Sequence, residues 1–171
     1  VGLLLSEKLA VEMNAGEGKT IAAAFPAVLH ASRGLAVHII TANDYLASRD
    51  ADLLAPVYES LGMSVGAVLS YMSDDEKRHQ YQQAIVYGTL REFGFDFLRD
   101  NLRPSADEQV QGVLGAVIVD EADHALIDEA GVPLVISGSP TAMTRSTARI
   151  KRAMEEMIAL QRETARGLEE T

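Results

Sequence analysis

The sequence predicts an α/β fold, a parallel sheet with helices on both faces, and three observations carry that expectation. Short apolar runs alternate with helix-forming stretches along most of the chain. One run, Leu9-Ala10-Val11-Glu12-Met13, leads into Gly16-Glu17-Gly18-Lys19-Thr20 and then into a good helix former from Thr20 to Phe25. Another, Val113 to Val119, is nearly all apolar, as a strand covered on both faces would be, and ends on Asp120-Glu121-Ala122-Asp123. Strand–helix alternation implies right-handed crossovers and a parallel sheet. Ligands of such sheets gather outside the strand C-termini, where Lys19 and Asp120 are both expected.

The remaining elements follow in order. Leu35 to Thr41 reads as a strand after the Gly34 turn. Asn43 or Asp44 is placed to cap a helix reaching Leu61, with Gly62 as its stop. Ser64 to Leu69 is a third strand. Ser73-Asp74-Asp75-Glu76 is a helix start with acidic residues in its first turn. Ala84 to Gly88 is a strand, and Leu90 to about Asn101 a helix. After the Asp120 strand come a turn of helix from Ala125 to Glu129 and a short strand from Pro133 to Ile136. From Ser139 the chain becomes polar, with Ile150, Met154, Met157, Ile158 and Leu168 as an incomplete apolar stripe at helical spacing. That helix either packs back on the domain or connects to a further one.

Strand, glycine loop and helix are the context a phosphate-binding loop of the Walker A type requires. Glycines let backbone N–H groups approach phosphate oxygens, and the positive helix end favours the anion. Gly16, Glu17, Gly18, Lys19 and Thr20 form the loop; Lys19 would reach the β- and γ-phosphates of ATP, and the Thr20 hydroxyl would hold Mg²⁺. The full pattern has Gly where Met13 stands, a position that helicase-like motors relax. Asp120 would hold the same Mg²⁺, directly or through water, and Glu121 would orient and deprotonate the attacking water. The competing readings are a glycine turn with an incidental Lys-Thr and a solvated acidic turn, and each weakens in the presence of the other motif. Asp123 suits a tie between neighbouring motifs, and His124 suits either a hydrogen-bonded turn residue or a pH switch. The expected fold is thus a three-layer RecA-like P-loop NTPase domain.

Composition fits one domain: 171 residues suit a single core, and 47% apolar against 23% charged is globular. The longest apolar stretch, Ile21 to Leu29, is too short to span a bilayer. The lack of cysteine excludes disulfides and thiolate metal sites. A net charge of −10 weighs against a nucleic-acid motor, which needs a basic face to neutralise phosphates.

The blocks Glu12–Thr20, Thr41-Ala42-Asn43-Asp44-Tyr45-Leu46-Ala47-Ser48-Arg49-Asp50, Tyr87-Gly88-Thr89, Glu92-Phe93-Gly94-Phe95-Asp96-Phe97-Leu98-Arg99-Asp100-Asn101 and Ile127-Asp128-Glu129-Ala130 together resemble SecA. This is the bacterial ATPase that drives preproteins through the Sec membrane channel. The resemblance runs from about Gly2 to Gly138, in order. It implies that residues 1–138 are a first nucleotide-binding motor domain of the DEAD type, and that 139–171 begin a preprotein-binding excursion or a connector. It carries over Gly16 to Thr20 as the ATP loop, Asp120 as magnesium ligand and Glu121 as catalytic base. Arg99 and Asp100 carry over to a motif that couples nucleotide state to the rest of the motor, against a reading as a solvated helix end.

As partners the resemblance implies ATP or ADP, unfolded preproteins, the Sec channel and the membrane surface, with a homodimer left open. It implies a cytoplasmic protein attached peripherally to the inner face of the cell membrane. Without the second motor half and its arginine, a term of about 10³ to 10⁵ in rate, residues 1–171 alone are expected to be nearly inactive. Departures from the family pattern include Ala15 for Thr, Leu90-Arg91 for paired Asn, and Ala122-Asp123-His124 for Val-Asp-Ser; they suggest a divergent or accessory member. The alternative function is a nucleic-acid-remodelling ATPase of the helicase class, and a blander one is a nucleotide-binding scaffold.

Overall fold

The structure, a computed structural model, describes residues 10–14 and 16–136. Its centre is a four-stranded sheet of β1 (Val37–Thr41), β2 (Val65–Ala67), β3 (Ile85–Thr89) and β4 (Ala116–Val119), in the order β2-β3-β1-β4. Every pairing is parallel; Val37 lies opposite Ile85 on one side and Ala116 on the other. The predicted α/β class is the observed one.

Alternate strand residues separate two cores, as a period of two requires. Val37, Ile39, Ile85, Tyr87 and Ile118 face helix α1 (Lys19–Ala31) and helix α2 (Asp44–Ser60), burying Ala24, Ala27, Ala47, Ala51, Leu54 and Tyr58. On the opposite face Ile40 and Val86 meet Tyr81 of α3 (Asp74–Tyr81) and Phe93 of α4 (Leu90–Asn101). These are the three layers the sequence implies. The first core also holds a polar pair, the Tyr58 and Tyr87 hydroxyls at 2.9 Å. Each shields the other from water, and burial pushes both phenols above their ordinary pKa.

Local chemistry explains the helix limits. Asn43 accepts from the Leu46 N–H, Ser73 forms a full capping box with Glu76, and Thr89 accepts from the Glu92 N–H. Gly62, with φ of 74°, ends α2 in the left-handed conformation that glycine adopts without strain. No connector separates β3 from α4; Thr89 ends one, and Leu90 begins the other. Gly88 permits this, because a Cβ there would lie 2.7 Å from the Phe93 ring.

The strand readings need trimming. Residues 10–13 join no strand, and Leu9 lies outside the described residues. β4 begins at Ala116, not Val113, because β1, the strand it pairs with, begins at Val37, which lies opposite Ala116. Nor is β4 covered on both faces among the described residues, since Val117 is 59% exposed. Pro133 to Ile136 is irregular, and the turn after Asp120 is a single π-turn, His124–Asp128. The polar stretch from Ser139 lies outside the described residues. Among the described residues no helix is long and apolar enough to cross a membrane.

His38, on the α3/α4 face, is 8% exposed between the rings of Tyr81 and Phe93. Desolvation holds its pKa below 6.5. The unfolded chain therefore binds this proton more readily, so stability falls as pH drops from about 6.5 toward the lower folded value. His38→Phe is expected to flatten that component of a urea midpoint-versus-pH curve; an unchanged slope counts against the burial argument.

Candidate active site

Two parts of the site come from different helices and strand ends. Gly18, with φ of 81°, is the N-cap of α1 and follows Gly16 at 84°. α1 differs from α2, α3 and α4 in having no side-chain cap and no acidic residue in its first turn. Its first backbone N–H groups are thus left for an anion, with Lys19 exposed beside them. Among the described residues no atom lies within 4 Å of a Cβ added at Gly16 or Gly18. Glu17 folds back to accept from the Asn14 backbone N–H at 3.0 Å and the Asn14 Nδ2 at 3.1 Å.

The second part is the end of β4. The Asp120 N–H donates to the Ile40 carbonyl at 2.9 Å, extending the β4–β1 ladder past the strand. Its carboxylate accepts from the Glu121 N–H at 3.0 Å. Glu121 has φ of 53°, in the left-handed region that costs a side-chain-bearing residue about 1–2 kcal/mol. Among the described residues it is the only non-glycine there. The chain turns abruptly at this point, exposes the Glu121 side chain, and enters the π-turn, where the Glu121 carbonyl accepts from the Ala125 N–H at 3.1 Å. Strain of this kind persists where surrounding structure imposes it, and functional turns are enriched in it.

Asp120 opens into a crevice of about 240 Å³ at the C-terminal edge of the sheet. Thr41, Asp44, Thr89, Glu92, His124 and Glu129 line it as well. The crevice lies where the chain leaves β1 for one face and β3 for the other, the switch point where parallel sheets bind ligands. Asp44 accepts from the Ser70 N–H at 2.9 Å and Oγ at 2.6 Å, fixing the start of α2. His124 stands 3.8 Å from Asp128 and 3.9 Å from Glu129.

The phosphate loop does not line this crevice. α1 packs on β1 and β4, and its C-terminal end connects through Ser32–Ala36 to the start of β1. Its N-terminal end therefore points toward the sheet edge that Asp120 occupies. Asp123 is exposed and enters none of the described hydrogen bonds.

Sequence reasoning missed the buried charges beneath the crevice. Lys77 donates from Nζ to Glu92 at 2.6 Å and to Asp96 at 3.1 and 3.2 Å. Asp96 also accepts from Tyr81 Oη and Arg99, both at 2.9 Å. The available signal was the i, i+4 placement of Lys77 and Tyr81 on a helix otherwise read as polar. Asp100 is not a solvated helix end. It is 6% exposed and accepts from the Val110 and Gln111 N–H groups at 2.8 to 3.1 Å, and Arg103 stands 3.5 Å away.

A family model described as the SecA DEAD-like domain matches residues 1–167. The chain belongs to the SecA family. It is 54% identical to the "Protein translocase subunit SecA" of Laribacter hongkongensis over 137 residues, covering 80% of this chain and 15% of that protein. Against the SecA of Cellvibrio japonicus it is 47% identical over 166 residues, 97% of this chain and 18% of the relative. Against that of Halothermothrix orenii it is 44% identical over 157 residues, 92% and 19%. The chain thus spans less than a fifth of each SecA relative. The four-stranded parallel sheet with helices on both faces is the RecA-like arrangement expected of this SecA domain.

Proposed function

We propose that this chain is the ATP-binding part of a SecA-type protein translocase, in which ATP turnover moves unfolded preproteins through the Sec membrane channel. The uncapped start of α1 carries the reading. Lys19, Thr20 and free N–H groups stand where a triphosphate needs donors, and no carboxylate of the first turn competes. Thr20 and Asp120 offer hard oxygen ligands that suit Mg²⁺. That ion keeps several waters and takes only one or two protein carboxylates together with substrate phosphates, so it needs no all-protein cage. Bound there, Mg²⁺ neutralises phosphate charge. Glu121, projected by its turn, accepts the proton of the attacking water.

A cytoplasmic protein held peripherally at the inner face of the membrane suits this role. Residues 1–171 alone are proposed to turn over ATP near background, because one motor half supplies no transition-state arginine. Arg99 and Asp100 are proposed to pass nucleotide state onward through the segment that leads into β4. The acidic balance disfavours the helicase alternative.

The test is steady-state ATPase of the full-length protein. One challenge is an unfolded secretory precursor with vesicles containing the Sec channel, and the other is single-stranded RNA. Stimulation by the precursor system alone is expected; stimulation by RNA alone overturns the proposal. Lys19→Ala is expected to lower the stimulated rate at least about a hundredfold.

A further inference from the structure

Lys77 is 3% exposed, and its ammonium sits among three carboxylate oxygens. Its two partners differ in what they face. Asp96 is 1% exposed, inside the α3–α4 packing, where Tyr81 and Arg99 also hold it. Glu92 lies in the first turn of α4 and lines the crevice alongside Asp120. Lys77 and Arg99 balance Glu92 and Asp96, leaving the cluster neutral.

We propose that Lys77 is a positioning residue for the nucleotide site: it holds the Glu92 carboxylate back against α3 and neutralises it. The crevice already carries Asp120, Asp44 and Glu129, and the pairing keeps Glu92 from adding a further uncompensated carboxylate to repel a triphosphate. Lys77 touches neither nucleotide nor metal and acts through Glu92. The effect belongs to binding, because an unpaired Glu92 repels the ground state and the transition state alike.

The inference rests on the nucleotide reading of Asp120, and the experiment separates the two. ATP turnover of the full-length protein is measured for wild type, Lys19→Ala, Lys77→Met and Lys77→Met/Asp96→Asn. Both Lys77 variants leave Glu92 unpaired, and the second does so without stranding a buried carboxylate at Asp96. Each is expected to raise the KM for MgATP about three- to tenfold, with a smaller effect on kcat, the size of a like-charge interaction across a partly wet site. Adding Glu92→Gln to either is expected to bring KM back within about twofold of wild type.

A wild-type KM in Lys77→Met/Asp96→Asn overturns the inference, as does a raised KM that persists after Glu92→Gln. A lysine that serves folding alone lowers the melting temperature without this KM pattern. Wild-type turnover that does not depend on Lys19 overturns the nucleotide reading itself, and the inference with it.

Discussion

Glu121→Gly is expected to leave the protein as stable as wild type or up to about 1 kcal/mol more stable, while turnover falls about 10²- to 10⁴-fold. The two changes have separate causes. At φ of 53° the wild-type Cβ is crowded, and glycine relieves that crowding. Glycine also adds entropy to the unfolded chain, which offsets part of the gain. The catalytic loss is that of the carboxylate that accepts water's proton. Glu121→Gln serves as the control, because it keeps the Cβ and the backbone conformation but cannot act as a base. Both variants should retain nucleotide binding through Lys19. Thermal melts beside ATPase rates give the comparison. A Glu121→Gly protein that melts well below Glu121→Gln shows that the turn is not strained, and one that still hydrolyses ATP removes Glu121 from the chemistry.

Asp100→Ala should be the most destabilising of these substitutions, by roughly 2–5 kcal/mol. Two backbone donors, the buried Val110 N–H and the half-buried Gln111 N–H, lose a charged acceptor, and each orphaned donor costs up to about 1–3 kcal/mol. Val110 is itself in the core, so neither water nor a new partner reaches its N–H easily. Asp100→Asn keeps one acceptor oxygen and should fall between wild type and alanine. Urea midpoints measure the loss, and hydrogen exchange at Val110 and Gln111 locates it. A midpoint shift equivalent to less than about 0.5 kcal/mol, the size of an ordinary surface change, would contradict the structural role.

What the sequence revealed and what it hid divide along the range of the interactions. Helix limits set by neighbours were legible. Asn43, Ser73 and Thr89 cap within three residues, and Gly62 stops α2 from just beyond the Leu61 cap. The layered arrangement followed from the alternation of apolar strand runs with helix-forming stretches. Strand length was less legible: β4 starts late because its partner β1 starts at Val37, opposite Ala116, a pairing 79 residues apart in sequence that no local pattern encodes. The lysine cluster was invisible for the same reason. Lys77 meets Glu92 and Asp96 across 15 and 19 residues, and α3 looks like a wholly polar surface helix until α4 packs on it. At the site, motif reasoning singled out Lys19, Thr20, Asp120 and Glu121. Around Asp120 the crevice takes further walls from Thr41 and Thr89 at adjoining strand ends and from Glu92 in the first turn of α4. The left-handed turn at Glu121 had no local sequence signal, since glycine or asparagine would ordinarily mark it.

The seamless passage from β3 into α4 has a mechanical consequence. With Phe93 clamped over Gly88 there is no slack between sheet and helix, so α4 behaves as a crank fixed to the sheet edge. Twelve residues make it about 18 Å long, and a tilt of about five degrees at Thr89 would carry its far end roughly 1.5 Å. That far end is pinned through Asp100 to the segment feeding β4, which ends on Asp120. Strand, crank, pin and strand form a closed linkage. A displacement of the crevice wall at Thr89 is therefore expected to reach the facing Asp120 carboxylate through α4, Asp100 and the chain that feeds β4.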